Sequence, residues 1–135
     1  MQRILVIDDE ALVREALQRV LASPTVSVIA AADAGAGLAT LRESPVDLVI
    51  VDVVLPGMDG VAAIKEIRRH HPEVPIIAIS GGGDFGLSAY RPEAISTIAY
   101  LAACTAAGAD AVLAKPFETA ELRSLIAQVL APERA

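Results

Sequence analysis

The sequence predicts a doubly wound α/β domain around a five-stranded parallel sheet, and three observations carry that expectation. Short β-branched runs alternate with helical patterns along the chain. Those runs are continuously apolar rather than alternating, so both faces of the sheet need cover. The composition, 54% hydrophobic with only 3% aromatic, builds a core from Val, Ile, Leu and Ala, a mix that suits buried parallel strands. At 135 residues the chain is long enough for one compact domain and too short for two, so residues 1–135 read as a single domain.

The elements follow in order. "RILVID" (3–8) reads as strand 1, and Leu12, Val13, Ala16, Leu17, Val20 and Leu21 give helix 1 an apolar face. "VSVIAA" (26–31) is strand 2, with Asp33 placed to cap helix 2. "DLVIVD" (47–52) is strand 3, and Asp59 is the cap expected for helix 3. His70 and His71 precede Pro72, where that helix should end; neighbours in sequence point to different helix faces, so the pair reads as favourable charge at a helix terminus. "PIIAIS" (75–80) is strand 4. Pro92 suits the first turn of helix 4, whose inward face is expected at Ile95, Ile98, Ala99, Ala102 and Ala106, with Cys104 as a small core residue. "AVLAK" (111–115) is strand 5, and Phe117 is expected to pack under helix 5. Thr119 would cap that helix, and its core face is Leu122, Leu125, Ile126, Val129 and Leu130. Right-handed crossovers then wind helices onto both faces of the sheet.

Charge and composition exclude several classes. A formal charge of −6 without a Lys/Arg cluster gives no footprint for a polyanion, so direct nucleic-acid binding is not expected. The uncharged run 94–109 falls short of the ~20 residues of a spanning helix, and no membrane association is expected. The lone Cys104, and the acids in "MQRILVIDDE" where a secretory signal keeps its apolar segment, point to a reducing, cytoplasmic setting.

Ligands of a doubly wound sheet bind outside the carboxyl ends of the strands, where strand order reverses. There strand 1 ends in Asp8 and Asp9, strand 3 in Asp52, strand 4 in Ser80 and strand 5 in Lys115. Each alone reads as a cap, a loop residue or a solvated charge; a lysine directly before Pro116 together with acids ending strands 1 and 3 is hard to explain by packing. Three clustered carboxylates repel unless they share protons or hold a cation, and an all-oxygen set of low ligand count suits Mg²⁺. With a cation, the Lys115 ammonium and the Ser80 hydroxyl around it, a carboxylate can attack a phosphoryl group whose equatorial oxygens are stabilised. The expected chemistry is phosphorylation of an aspartate. Gly81, Gly82 and Gly83 suggest a phosphate cradle, but no Gly-Lys-Ser/Thr follows them, so they read as freedom for the loop after Ser80.

The motifs "VIDDE" (6–10), "DLVIVDVVLPGMDG" (47–60), "PIIAIS" (75–80) and "GADAVLAKPF" (108–117) together make the chain similar to the receiver domains of two-component response regulators. The resemblance covers essentially the whole chain. It implies the flavodoxin-like (βα)5 receiver fold with strand order 2-1-3-4-5. It makes Asp52 the phosphoacceptor, Asp8 and Asp9 the acidic pair for Mg²⁺, and Val54 a metal ligand through its backbone carbonyl. Ser80 and Lys115 would contact the phosphoryl group, and the Pro56, Gly57, Asp59 and Gly60 turn would shape the loop after the acceptor. It further implies a sensor histidine kinase or histidine phosphotransfer protein upstream, a downstream protein target, and a face along helix 4, strand 5 and helix 5 suited to homodimers. A receiver catalyses only its own phosphorylation and dephosphorylation, so no metabolic enzyme is expected. Met1 directly before strand 1, with no linker at the end, favours a stand-alone receiver.

Two departures stand out. The family usually has Tyr or Phe three residues before the lysine, where this chain has Val112. Ser80 and Lys115 lie 35 residues apart, about a dozen more than usual, which places an insertion within 81–105. That insertion carries Phe85, Tyr90 and Tyr100, and is expected to replace the missing aromatic or to form a partner surface. The competing readings are a flavodoxin-like cofactor binder, which would need a Ser/Thr/Gly-rich loop where this chain has "DDEA", and a metal-dependent phosphatase with an aspartyl nucleophile. The phosphatase would carry a second Asp at the position of Val54.

Overall fold

The computed structural model describes residues 2–52, 60–80, 102–114 and 117–130, with the Ser80 side chain outside the description. Five strands, β1 (Gln2–Ile7), β2 (Val26–Ala31), β3 (Leu48–Asp52), β4 (Ile76–Ser80) and β5 (Ala111–Ala114), form one sheet in the order β2-β1-β3-β4-β5. Every pairing is parallel. The described helices are α1 (Ala11–Leu21), α2 (Ala34–Glu43), α3 (Gly60–His70), α4 (described over 102–107) and α5 (Thr119–Leu130). The expected fold class and strand order are those observed.

Side-chain alternation divides the core into two layers. Ile4 and Val6 of β1, Leu48 and Ile50 of β3 and Ile77 and Ile79 of β4 meet Leu17 and Leu21 of α1 and Leu122 of α5. Leu5, Ile7, Val49, Val51, Ile76 and Ala78 point the other way, against Leu41 of α2, Ile64 and Ile67 of α3, and Cys104 of α4. The continuous apolar runs are therefore two interleaved half-cores. Phe117 packs with the α1 and α5 layer and Val112 with the other.

Local signals work as expected at α2, where the Ala36 N–H donates to Asp33 Oδ1 at 2.8 Å. There Gly37 lets the helix sit on β1, since a Cβ at that position would come within 2.8 Å of Ile7 Cγ1. Three local expectations need correction. Thr119 is the first residue of α5; the residue before it, Glu118, donates its N–H to Glu121 Oε1 at 2.9 Å, one half of a capping box. In α1, Leu12 is 79% exposed and Ala16 is also exposed, leaving Val13, Leu17, Val20 and Leu21 as the inward face. In α4, Ala102 and Ala106 are exposed and the buried face centres on Cys104. Asp59 and Pro92, expected caps or starts, lie outside the described residues, as does most of the segment 81–105.

The end of the sheet opposite the acids is tied by Arg68. Its guanidinium donates to the carbonyls of Pro72, Val74 and Gly108 at 2.7 Å each and pairs with Asp110 at 3.1 Å. Asp110 Oδ2 also accepts the Ile76 N–H. Gly108, at φ +128°, ends α4: its N–H and that of Ala109 both return to the Cys104 carbonyl. No described helix is long and apolar enough to cross a membrane.

Candidate functional site

β1 and β3 are hydrogen-bonded neighbours with Ile7 paired to Val51, so the residues that follow each, Asp8 and Asp52, emerge side by side at the carboxyl end of the sheet. Their positions come from strand register, the most rigid element of the fold. Asp8 is only 3% exposed and Asp52 5%, whereas Asp9 is exposed. One carboxylate oxygen from each of the three lies within 4.8 Å of the others. At such a separation two ionised carboxylates repel by about 3 kcal/mol at an effective dielectric of ~20. The sequence had brought these three acids together at strand ends, and the structure does the same.

The turn between β1 and α1 is built by backbone and side chain together. The Asp8 N–H donates to the Ala31 carbonyl at 3.0 Å, which fastens it to the end of β2. Asp8 Oδ1 accepts the Glu10 N–H at 2.9 Å, and Arg14 Nη1 donates to the Asp8 carbonyl at 2.7 Å. Arg14 was not singled out from the sequence. The only signal was its place in the second turn of α1, six residues after Asp8, from which a long side chain reaches back to the loop.

Ser80 ends β4, paired with Ala114, the last residue of β5. Asp52 and Ser80 thus terminate adjacent strands, while the Ser80 hydroxyl, Val54, Lys115 and Gly81 to Gly83 lie outside the described residues. His70 stands away from this cluster on α3, with Nε2 2.9 Å from Glu66 Oε2, and Arg69 bonds the same oxygen at 2.9 Å. These two partners hold the Glu66 carboxyl below its ordinary range. The described residues hold no other group of three clustered ligating side chains.

Fold and cluster together define an open-sheet α/β domain whose ligand end is lined by carboxylates at the point where strand order reverses. The chain belongs to the response regulator receiver domain family, whose model matches residues 4–127. It is 30% identical over 134 residues to the DNA-binding transcriptional regulator NtrC of Salmonella typhimurium, an alignment spanning 96% of this chain and 25% of that protein. It is 34% identical over 127 residues to the transcriptional regulatory protein CseB of Streptomyces coelicolor, spanning 94% of this chain and 48% of that one. The chain thus spans a quarter to about half of the length of these relatives. Among solved structures, the receiver domain of NtrX from Brucella abortus superposes with a TM-score of 0.80 at 30% identity, covering 96% of this chain and 99% of that one.

Proposed function

We propose that the chain is a phosphorylation-dependent signalling receiver in which Asp52 accepts a phosphoryl group from the phospho-histidine of a sensor histidine kinase or histidine phosphotransfer protein. The observation that carries this reading is the cluster of Asp8, Asp9 and Asp52, two of them almost fully buried, at the carboxyl end of a receiver-family sheet. Carboxylates within 4.8 Å of one another, two of them buried, are stabilised by a counter-charge, and oxygen donors alone select a hard cation. The donor chemistry fits Mg²⁺, held by Asp8, Asp9 and Asp52 with the Val54 carbonyl, and when bound it supplies positive charge at the phosphoryl oxygens.

A carboxylate oxygen of Asp52 forms the new bond to phosphorus as the P–N bond to the donor histidine breaks, and that bonding pair stays on the imidazole. Lys115 and Ser80 are assigned to the phosphoryl oxygens, the ammonium as charge and the hydroxyl as donor. Water later attacks phosphorus, releasing inorganic phosphate and returning Asp52 to its carboxylate. The chain's catalysis is limited to these two steps on itself, and its output is a change of protein contacts in a cytoplasmic setting. The insertion assigned to residues 81–105 belongs to that output, and amide exchange with and without a phosphoryl mimic tests it: no change between residues 81 and 105 counts against the assignment.

The main test is phosphotransfer from acetyl phosphate and from candidate kinases in the presence of Mg²⁺. Label on the wild-type protein and none on Asp52→Ala is the expected result. Transfer that persists in the variant removes the assignment of Asp52. FMN binding, or turnover of generic phosphomonoesters, would favour the cofactor binder or the phosphatase instead.

A further inference from the structure

We infer that Arg14 is a positioning residue for the cation site, holding the Asp8–Asp9–Glu10 turn in the geometry that brings Asp8 and Asp9 to a common ion. The inference rests on the proposed reading of the acidic cluster as a Mg²⁺ site. Arg14 meets the turn at two points, of which the first is the opening backbone bond of α1 that any residue here would make and the second belongs to its side chain. Its backbone N–H donates to the Glu10 carbonyl at 3.0 Å, and its Nη1 to the Asp8 carbonyl at 2.7 Å. Asp9 lies between those two anchors.

The start of α1 has little else to define it. Its N-cap, Glu10, makes no side-chain capping bond, and the first helical turn contains no acidic residue. The Glu10 N–H is taken by Asp8 Oδ1, so the carboxylate of one site residue also forms part of the turn. The Asp8 carbonyl belongs to a residue only 3% exposed, and a charge-assisted bond at this distance is the strong kind. Without the guanidinium that carbonyl loses its charged donor and the loop loses its side-chain tether to the helix. Asp9, the acid that β register does not place, then samples orientations that do not converge with Asp8 and Asp52.

The opposite view, in which Arg14 is merely a nearby charge, makes a prediction of opposite sign. Among the described residues no ion pair includes Arg14, so no described carboxylate pairs with its charge. A fixed positive charge beside a divalent-cation site repels the ion, and its removal tightens binding. A positioning role loosens binding on removal, because groups that orient metal ligands commonly contribute tenfold or more to affinity.

The experiment is a Mg²⁺ titration of the metal-free chain, followed through backbone amide shifts of residues 7–10 and 52, for wild type, Arg14→Met and Arg14→Lys, with Asp9→Asn as the control. Arg14→Met should weaken Mg²⁺ roughly tenfold, and Arg14→Lys, which keeps charge and donor, should recover part of that loss. In the metal-free Arg14→Met protein the Glu10 amide should exchange faster, while amides of α3 and β4 keep wild-type protection. With acetyl phosphate, the Mg²⁺ concentration for half-maximal labelling should rise while the plateau rate stays within about twofold. Binding equal to or tighter than wild type in folded Arg14→Met overturns the inference. If that variant does not fold, Arg14→Gln is read by the same rule. Wild-type protein without a Mg²⁺ response, or Asp9→Asn that binds as wild type does, overturns the reading of the cluster and this inference with it; a normal control with unaltered Arg14→Met overturns this inference alone.

Discussion

Asp8 and Asp52 are the buried charged residues of the described core, and the energetic cost of having them there defines what the site needs. Each is placed by β register, so the pair cannot drift apart to relieve its repulsion. Asp9 adds a third charge from the exposed side of the same cluster. Replacing it with the neutral isostere should therefore stabilise the metal-free protein. Discounted for its exposure, the gain expected for Asp9→Asn is about 1 kcal/mol in EDTA. With Mg²⁺ present the difference should vanish or reverse, since the wild type then has a ligand that the variant lacks. Thermal melts of both proteins in each condition decide it, and a variant less stable in EDTA would mean that Asp9 is held by contacts stronger than the repulsion. These acids were legible in the sequence because a strand that ends in a carboxylate announces where that carboxylate emerges. Arg14 was not legible, because an arginine on a helix surface carries no mark of a carbonyl six residues back until the turn between them is folded.

The helices were read less well than the strands, for a geometrical reason. At ~100° per residue, Leu12 lies about 140° around α1 from Leu17, and Ala102 and Ala106 lie about 160° from Cys104 on α4. An apolar sequence without charges to mark the outer face allows more than one inward face, and only contact with the sheet chooses. The α3 helix is better marked, because its last turn carries Arg68, Arg69 and His70. Of these, Arg68 is the structural member, with a side chain 22% exposed and bonds to the carbonyls of His71, Pro72, Val74 and Gly108 and to Asp110 across two connections. Arg68→Ala should cost about 2–3 kcal/mol, as several partly buried carbonyls lose a charged donor at once. Arg68→Lys should restore only part, since one ammonium cannot replace the planar fork. Chemical denaturation measures both, and a loss below about 0.5 kcal/mol for Arg68→Ala would show that water replaces the guanidinium without penalty. Glu66 on the same helix gives a pH signature. Arg69 and then His70 lower its folded pKa, so its contribution to stability is present above its unfolded value and is lost as pH falls through the lower folded value. Glu66→Gln should remove that part of the acid-side decline. Parallel stability curves for the two proteins through the carboxylate range would contradict it.

At the scale of the whole molecule, the sheet was readable because continuously apolar strands separated by helical patterns admit few arrangements other than a doubly wound parallel one. The five strands and their order follow that logic, and what needed three dimensions was the gradation of burial across the sheet. All of β3 is buried, as are the last four residues of β1, whereas β2 and β5 are mostly half-exposed. The acids therefore stand at the ends of two of the three inner strands, where opening requires the core to come apart, and the edge strand β5 can open without disturbing them. This makes a coupled prediction. Amides of β1, β3 and β4 should exchange through global unfolding and those of β5 and the outer part of β2 through smaller openings. A cation that binds only the folded cluster raises the global unfolding free energy by RT ln(1 + [L]/Kd), about 2.7 kcal/mol at a hundredfold excess over Kd. Mg²⁺ should accordingly slow exchange in β1, β3 and β4 by roughly a hundredfold at that excess and leave β5 nearly unchanged. Asp52→Ala should abolish the effect. Equal slowing in every strand would mean that the sheet opens only as one unit, and slowing confined to the edges would place the cation away from the acids.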